Sequence, residues 1–342
     1  ARLARERGAK VVAGGVHPSV CSDDMLQSGL FDAIVTGDGM GVFEDILERR
    51  NQLDGQVIRG LKHPNIKTYY DRHYSPMQEE RMRRSKMFET MTALGCPMSC
   101  TFCATKSKPF MKLPIDHMAE QVIDAHRRWG VEDICIRDDM FTLNYNRVAR
   151  FHEVIKQSGL EFEFRLQTRV DHLQDDILGE LRAMGVETVN VGVETTSQRL
   201  LEFLVKDAKA EDAYETAKRC AKHGMGLSIF LLFGLPTQDK YDYEVTLDFV
   251  RKAKPYKMLC HYFLPLPGSP LFDYCFEHGH MPKDFTFDDY PFIQPNDPDF
   301  TTFNGRKGML NKVDYELGAE YIKKMLDVHH EQADRAIVDA AV

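Results

Sequence analysis

Short apolar runs alternate with longer stretches of helical spacing over most of this chain. From residue 86 the runs read "KMFETMTAL", "EDICIRDD", "EFEFRLQT", "ETVNVGVE", "GLSIFLLFG" and "KMLCHYFLP". The segments between them have amphipathic helical patterns: Asp116 to Trp129, then "NRVARFHEVIKQS", "QDDILGELRAMG", "AEDAYETAKRCAKHG" and "YDYEVTLDFVRKA". Asp116, just after Pro114, is the expected N-cap of the first of these helices. Six strands separated by single helices predict an α/β fold with a parallel sheet and helical crossovers. The run "SIFLLFG" has the composition of a parallel strand buried on both faces. Such units form a partial barrel or an open sheet, and in both cases ligands collect at the C-terminal strand ends.

Those ends carry polar and glycine-rich residues. Three cysteines follow the first strand, Asp138 and Asp139 the second, and Thr168, Arg169 and Asp171 the third. Glu194 ends the fourth, "GLPTQ" the fifth and "PLPGSP" the sixth. Ahead of this array, residues 1–65 show a shorter βα pattern. A helical "ARLARERGAK" leads into the strand "VVAGG", the turn "VHPS", a second strand in "FDAIVTGDG" and the helix "VFEDILERR". Two strands with glycines at their ends predict part of a doubly wound α/β domain. Residues 66–86, polar and tyrosine-rich and including the basic run "RMRRSK", read as a linker to the array at 87–280. Residues 281–342 read as a loop-like stretch followed by an amphipathic helix, "YELGAEYIKKMLDVHHEQADRAIV", which covers the open side of the barrel or packs on a partner.

Composition narrows the functional classes. With 342 residues, 43% hydrophobic and 28% charged, the chain has the make-up of a soluble globular protein with ample core. A net charge of −8 and the lack of a basic stripe leave no nucleic-acid footprint, so no nucleic-acid partner is expected. The apolar stretch "LSIFLLFGLP" is too short to cross a bilayer, which takes ~20 residues, so no transmembrane segment is expected. The charged start has no signal-peptide pattern and no initiating Met, so the chain is expected to begin inside a longer protein. Cys21, Cys135, Cys220, Cys260 and Cys275 are scattered, as buried reduced thiols are, which points to a reducing compartment and a cytoplasmic location.

The remaining cysteines, Cys96, Cys100 and Cys103, fall in "LGCPMSCTFCATKSKP" with C-x3-C-x2-C spacing. A structural zinc site pairs C-x2-C with a second ligand pair, and the only histidine-rich candidates are "EHGH" and "HHEQ". A 4Fe–4S cluster normally takes four thiolates, so three from one loop leave one iron open to a substrate or cofactor.

This loop, with Phe102 just before the last cysteine, resembles that of the radical S-adenosylmethionine (radical SAM) superfamily, and the resemblance runs over residues 86 to 280. It implies a partial (β/α)6 radical SAM barrel with the cysteine loop after strand one. It also implies a 4Fe–4S cluster on Cys96, Cys100 and Cys103, whose open iron binds SAM. Reductive cleavage of SAM would then give a 5′-deoxyadenosyl radical that takes hydrogen from a substrate carbon. The resemblance further implies SAM contacts from Phe102, Asp139, Arg169 and Glu194, and from Gly234, Leu235 and Pro236 in "FLLFGLPTQD". This sequence has Thr237 and Gln238 where the family commonly has a Gly-Glu pair, and Glu194 has an alternative in pairing with Arg169 or Lys206. No catalytic side chain is assigned. Arg137, His261 and Tyr262 are candidates for contact with the substrate, a small molecule, lipid or peptide that the sequence leaves open.

"VVAGGVHPSV" and "DAIVTGDGMGVFEDIL" resemble the C-terminal part of the cobalamin-binding domain that precedes many radical SAM enzymes. The matching positions are Gly14, Gly15, His17, Gly37 and Gly39, with Met40 where the pattern usually has Glu. The expected function is a radical SAM enzyme, with cobalamin-dependent methyl transfer as one outcome and cyclisation, oxidation or rearrangement as the other. An electron donor such as flavodoxin or ferredoxin is the expected partner. A non-catalytic metal-binding module is the alternative from another class.

Overall fold

Glycine-ended strands at the front of the chain form a parallel sheet in the computed structural model, which describes residues 1–60, 74–104, 110–282, 310 and 312–340. Its strands are β1 (Val12–Gly14), β2 (Ala33–Thr36) and β3 (Gln56–Arg59), in that order. The sequence pattern predicts only the first two. β3 is a short edge strand whose residues alternate between half-buried and exposed, so it has no apolar run to announce it. The expected turn at "VHPS" is instead a short helix, Val16–Val20, that tucks Pro18 into the interior. Ala33, Val35, Ile46 and Leu53 make the small core here. Asp32 ties its edge. The amide of Val11 donates to its carboxylate at 2.7 Å and Lys10 Nζ at 3.1 Å, which holds the carboxyl below its usual range.

All six later runs are strands: β4 (Met87–Thr90), β5 (Asp133–Ile136), β6 (Glu163–Arg169), β7 (Thr188–Glu194), β8 (Gly226–Phe233) and β9 (Lys257–Tyr262). They lie in sequence order in one parallel sheet, and β4 and β9 remain its two edges, which makes the barrel partial. Each crossover is a helix with an apolar face on the sheet. Val122 and Phe151 from the helices meet Phe88, Ile134, Phe164 and Val191 from the strands, all fully or almost fully buried. Burying side chains of this size contributes about 1.5–3 kcal/mol each.

Two local expectations change. The helix Ile115–Trp129 starts from Pro114, so Asp116 lies in its first turn rather than capping it. Its carboxylate instead takes two hydrogen bonds of 2.8 Å from Arg150 on the next helix, Tyr145–Gln157. The expected linker contains a helix, Pro76–Ser85, started by a capping box between Ser75 and Gln78, with Met82 packed into the barrel core. Residues 66–73 of that expected linker lie outside the described residues.

The C-terminal helix Tyr315–Ala340 packs on the helix Lys240–Ala253 and on β9. Tyr321 stacks on Tyr243 with ring centroids 5.4 Å apart, and Met325 is fully buried. It therefore closes over the β9 end of the barrel. The loop-like stretch at 283–309 lies outside the described residues. Among the described residues no helix is long and apolar enough to cross a membrane.

Candidate functional site

The cysteine loop leaves β4 through Thr92, and that residue is pinned from two sides. Asp138, 1% exposed, accepts hydrogen bonds from both the amide and the hydroxyl of Thr92. Arg147 donates to the Thr92 carbonyl at 2.8 Å and to the Leu113 carbonyl at 3.1 Å, and so clamps the entry and exit legs of the loop. The legs pair as two-residue antiparallel strands, Ala93–Leu94 and Met111–Lys112. Gly95 takes φ +69°, a left-handed turn that glycine adopts without steric cost. The loop tip is latched to the barrel: the Thr101 amide donates to the Leu204 carbonyl, and the Leu271 amide donates to the Thr101 carbonyl, each at 2.9 Å. Residues 105–109 lie outside the described residues.

Asp138 is therefore an anchor for the loop rather than a wall of the site. Burial pushes its carboxyl up, and the Thr92 donors oppose that. Asp138→Ala is expected to cost about 1–3 kcal/mol, because Thr92 and Arg147 lose a buried acceptor or charge partner. A lower urea midpoint together with reduced iron uptake would be the signature; an unchanged midpoint would refute the anchoring role.

The loop roofs a cavity of about 390 Å³ at the C-terminal end of the sheet. Cys96, Cys100 and Cys103 line it, as do Phe102, Asp139, Arg169 and Glu194, so the strand-end residues singled out from the sequence converge here. Gln167, Gly192, Lys206, Phe230 and His261 complete much of the wall. Gly234, Leu235 and Pro236 are not among its lining residues; all are buried. A side chain at Gly234 would press on Tyr262 and Tyr315, and Leu235 belongs to a separate apolar cluster with Leu200, Phe263 and Leu271. Of the candidates for substrate contact, His261 lines the cavity, stacked on Phe230, and burial lowers its pKa. Arg137 is exposed and paired with Glu89, and Tyr262 packs edge-on against Tyr315.

The electrostatics are concentrated on one wall. Lys206 Nζ and Glu194 Oε1 are 2.8 Å apart, with side chains only 3% and 11% exposed. Arg169 donates to Cys100 Sγ at 3.3 Å and to both carboxylate oxygens of Asp171 at 2.9 Å, and it also bonds the Lys206 carbonyl. Burial raises the Cys100 thiol, while Lys206 and Arg169 pull it down; burial likewise raises Cys96.

Backbone irregularities hold these groups in place. The β7–β8 register slips after the Gly192–Phe230 pair, so that Leu231 faces Glu194, and Glu194 takes φ +64°. A β-bulge of this kind re-aims a side chain at a strand end. A Cβ at Gly192 would lie 2.5 Å from Glu194 Oε1, so a larger residue there would push the carboxylate away from its present position. Val205 and Asp207, on either side of Lys206, have φ of +48° and +52°. Such conformations cost of order 1–3 kcal/mol each and persist where surrounding contacts over-determine them. Gly192, Arg147 and Thr92 escaped the reading of the sequence. A glycine inside the strand "VNVGVE" was the available signal for the first, since it marks a bulge or close approach.

Among the described residues no group of three or more His, Cys, Asp or Glu side chains is arranged to hold a single metal ion. A mononuclear site gathers its donors within about 2.0–2.3 Å of one point. A multi-iron cluster takes one thiolate per iron corner, so its thiolates stand apart, and three cysteines outside any disulfide around one cavity fit that donor set. None of the eight cysteines is in a disulfide, and the five scattered ones, Cys21, Cys135, Cys220, Cys260 and Cys275, are reduced as expected.

In the front segment Gly14 and Gly15 end β1, Gly37 and Gly39 follow β2, and Gly60 follows β3, so one sheet edge is glycine-rich. Ser19 links two of these turns, donating to the Gly15 carbonyl at 2.6 Å and accepting from the Gly37 amide at 2.9 Å. His17 is exposed on the helix that follows β1. The segment meets the barrel rim at Gly268, in the turn after β9, where an added Cβ would fall 2.6 Å from Val20.

Comparison with known proteins gives concordant matches. Residues 91–250 match the model of the radical SAM superfamily. The chain is 28% identical over 293 residues to an uncharacterised methyltransferase of Pyrococcus horikoshii, covering 77% of this chain and 62% of that protein. It is 22% identical to the bacteriochlorophyllide d C-12(1)-methyltransferase of Chlorobaculum tepidum, covering 84% and 64% respectively. The chain thus spans somewhat under two thirds of the length of these relatives. Among solved structures the fold is similar to the radical SAM methyltransferase TsrM of Kitasatospora setae, with a TM-score of 0.65 at 17% identity, covering 79% of this chain and 58% of that one. The cobalamin-dependent SAM radical enzyme OxsB gives a TM-score of 0.58 at 16% identity, covering 74% and 41%.

Proposed function

This chain carries a radical SAM domain over residues 91–250, and from that premise we propose that it is a radical SAM enzyme that transfers a methyl group with the help of cobalamin. The observation that carries the reading is the single cavity in which Cys96, Cys100 and Cys103 face Asp139, Arg169 and Glu194. The three thiolates would hold a 4Fe–4S cluster with one iron left to SAM. When bound and reduced, that cluster supplies the electron that splits SAM into methionine and a 5′-deoxyadenosyl radical.

The chain's own residues bind, orient and shield. Glu194, fixed by Lys206, presents a carboxylate to the cationic and hydroxyl-bearing parts of SAM. Asp139 offers a second acceptor across the cavity. Phe102 gives it an apolar wall next to Cys103. His261, whose pKa burial lowers, faces the remaining space, where a substrate would enter.

The glycine-rich edge of the front sheet supports the cobalamin part of the reading. Gly15 and Gly37 take positive φ, and nothing lies within 4 Å of a Cβ placed at Gly15. Gly14, Gly15, His17, Gly37 and Gly39 are the proposed contacts, with Gly60 added to the same edge. TsrM has been solved with cobalamin and a [4Fe–4S] cluster, and OxsB with aqua-cobalamin and SAM. The electron would come from a cytoplasmic donor such as flavodoxin or ferredoxin.

The test is anaerobic reconstitution with iron, sulfide and cobalamin, followed by SAM and a reductant. Both 5′-deoxyadenosine and S-adenosylhomocysteine are expected. Deoxyadenosine alone would replace methyl transfer by a cyclisation, oxidation or rearrangement. No iron–sulfur absorbance and neither product would overturn the enzyme reading in favour of a non-catalytic module.

A further inference from the structure

Arg169 is committed before any ligand arrives. Its Nε and one terminal nitrogen hold Asp171 at 2.9 Å, that nitrogen also bonds the Lys206 carbonyl, and the other donates to Cys100 Sγ at 3.3 Å. The side chain is 8% exposed. The acceptor carbonyl belongs to the strained turn with positive φ at Val205 and Asp207, which is itself pinned by amide bonds of 3.0 Å from Val205 to the Glu202 carbonyl and from Lys206 to the Leu201 carbonyl. Strain maintained on both sides of one carbonyl indicates a built arrangement. What it builds is a guanidinium aimed at one particular thiolate of the three.

We propose that Arg169 sets the reduction potential of the iron–sulfur cluster through its hydrogen bond to Cys100, acting on the thiolate and not on SAM. This rests on the reading of Cys96, Cys100 and Cys103 as cluster ligands. Reduction brings one electron from an external low-potential one-electron donor and moves no proton, so the site becomes more negative by one charge. A buried cation hydrogen-bonded to a ligand sulfur stabilises that added charge, and such bonds and local net charge are among the determinants of cluster potentials. Asp171 opposes the effect by sharing the same guanidinium. Two substitutions therefore act with opposite sign: Arg169→Gln lowers the potential and Asp171→Asn raises it. Arg169→Lys keeps the charge but cannot span both partners, so its potential lies between those of the wild type and Arg169→Gln.

The experiment is a redox titration of reconstituted wild-type and variant proteins, followed by the EPR signal of the reduced cluster, with iron and sulfide contents measured in parallel. A downward shift for Arg169→Gln and an upward shift for Asp171→Asn, at equal iron content, are expected. Equal potentials at equal iron content would overturn the assignment while leaving the enzyme reading intact. A wild-type protein that takes up no cluster would instead overturn the enzyme reading, and this inference with it. If Arg169→Gln itself takes up no iron, Asp171→Asn decides: a rise supports the role, and an unchanged or lower potential refutes it.

Discussion

The Cys100→Ala protein, reconstituted under the same anaerobic conditions as the wild type, is expected to lose the visible absorbance of a 4Fe–4S cluster and its ability to cleave SAM. Cys100 is 8% exposed and is the thiol that Arg169 engages. Removing it leaves two thiolates on a loop that otherwise presents three, below what a four-iron cluster with one open corner requires. Loss of an outer-shell partner commonly costs 10–100-fold in metal affinity or activity; loss of a ligand should exceed about 100-fold in deoxyadenosine formed. The fold should survive. The substitution removes one heavy atom, and Arg169 keeps Asp171 and the Lys206 carbonyl. Near-native circular dichroism with sharply reduced iron and sulfide is the expected pair of results. Deoxyadenosine at the wild-type rate would show that the cluster lies elsewhere.

Glu194→Gln is expected to be the more damaging change to stability. Its partner Lys206 is 3% exposed, and the removal of one member of a buried pair leaves the other charge desolvated. Losses of about 3–5 kcal/mol are usual in such cases. Lys206→Met should be harmful for the converse reason. The double variant Glu194→Gln, Lys206→Met should recover much of the loss, because neither charge remains buried. Urea midpoints for the four proteins measure the coupling. If the single and double losses simply add, the pair is not acting as a unit. SAM binding separates the second role: the double variant should be stable yet bind SAM weakly, since the carboxylate is gone from the cavity.

Two adjacent carboxylates show where sequence reading stops. Asp138 and Asp139 are indistinguishable in "IRDDMFTLN", yet one is buried under Thr92 and the other faces the cysteines. Neighbouring side chains at a strand end point to opposite sides, and only the position of the strand within the sheet decides which side is the cavity. The same holds for "FLLFGLPTQD". Its glycine ends a strand as expected, but its neighbours are Tyr262 and Tyr315, and Tyr315 comes from the C-terminal helix. Edge strand β3 and the helix Pro76–Ser85 were missed because short or mostly polar segments gain their stability from packing rather than from periodicity.

By itself, then, the sequence determined the six-fold βα alternation, the end of the sheet on which the candidate site residues collect, and the three-cysteine loop. These are written in local periodicity and spacing, which survive in one dimension. Tertiary structure decided the rest. It brought Lys206 against Glu194, though twelve residues separate them, and turned Arg169 onto Cys100, sixty-nine residues away. It chose between Asp138 and Asp139 and docked the front segment on Gly268. The physical reason is that burial and charge pairing depend on which atoms meet after the chain has crossed the sheet, and no local pattern carries that information.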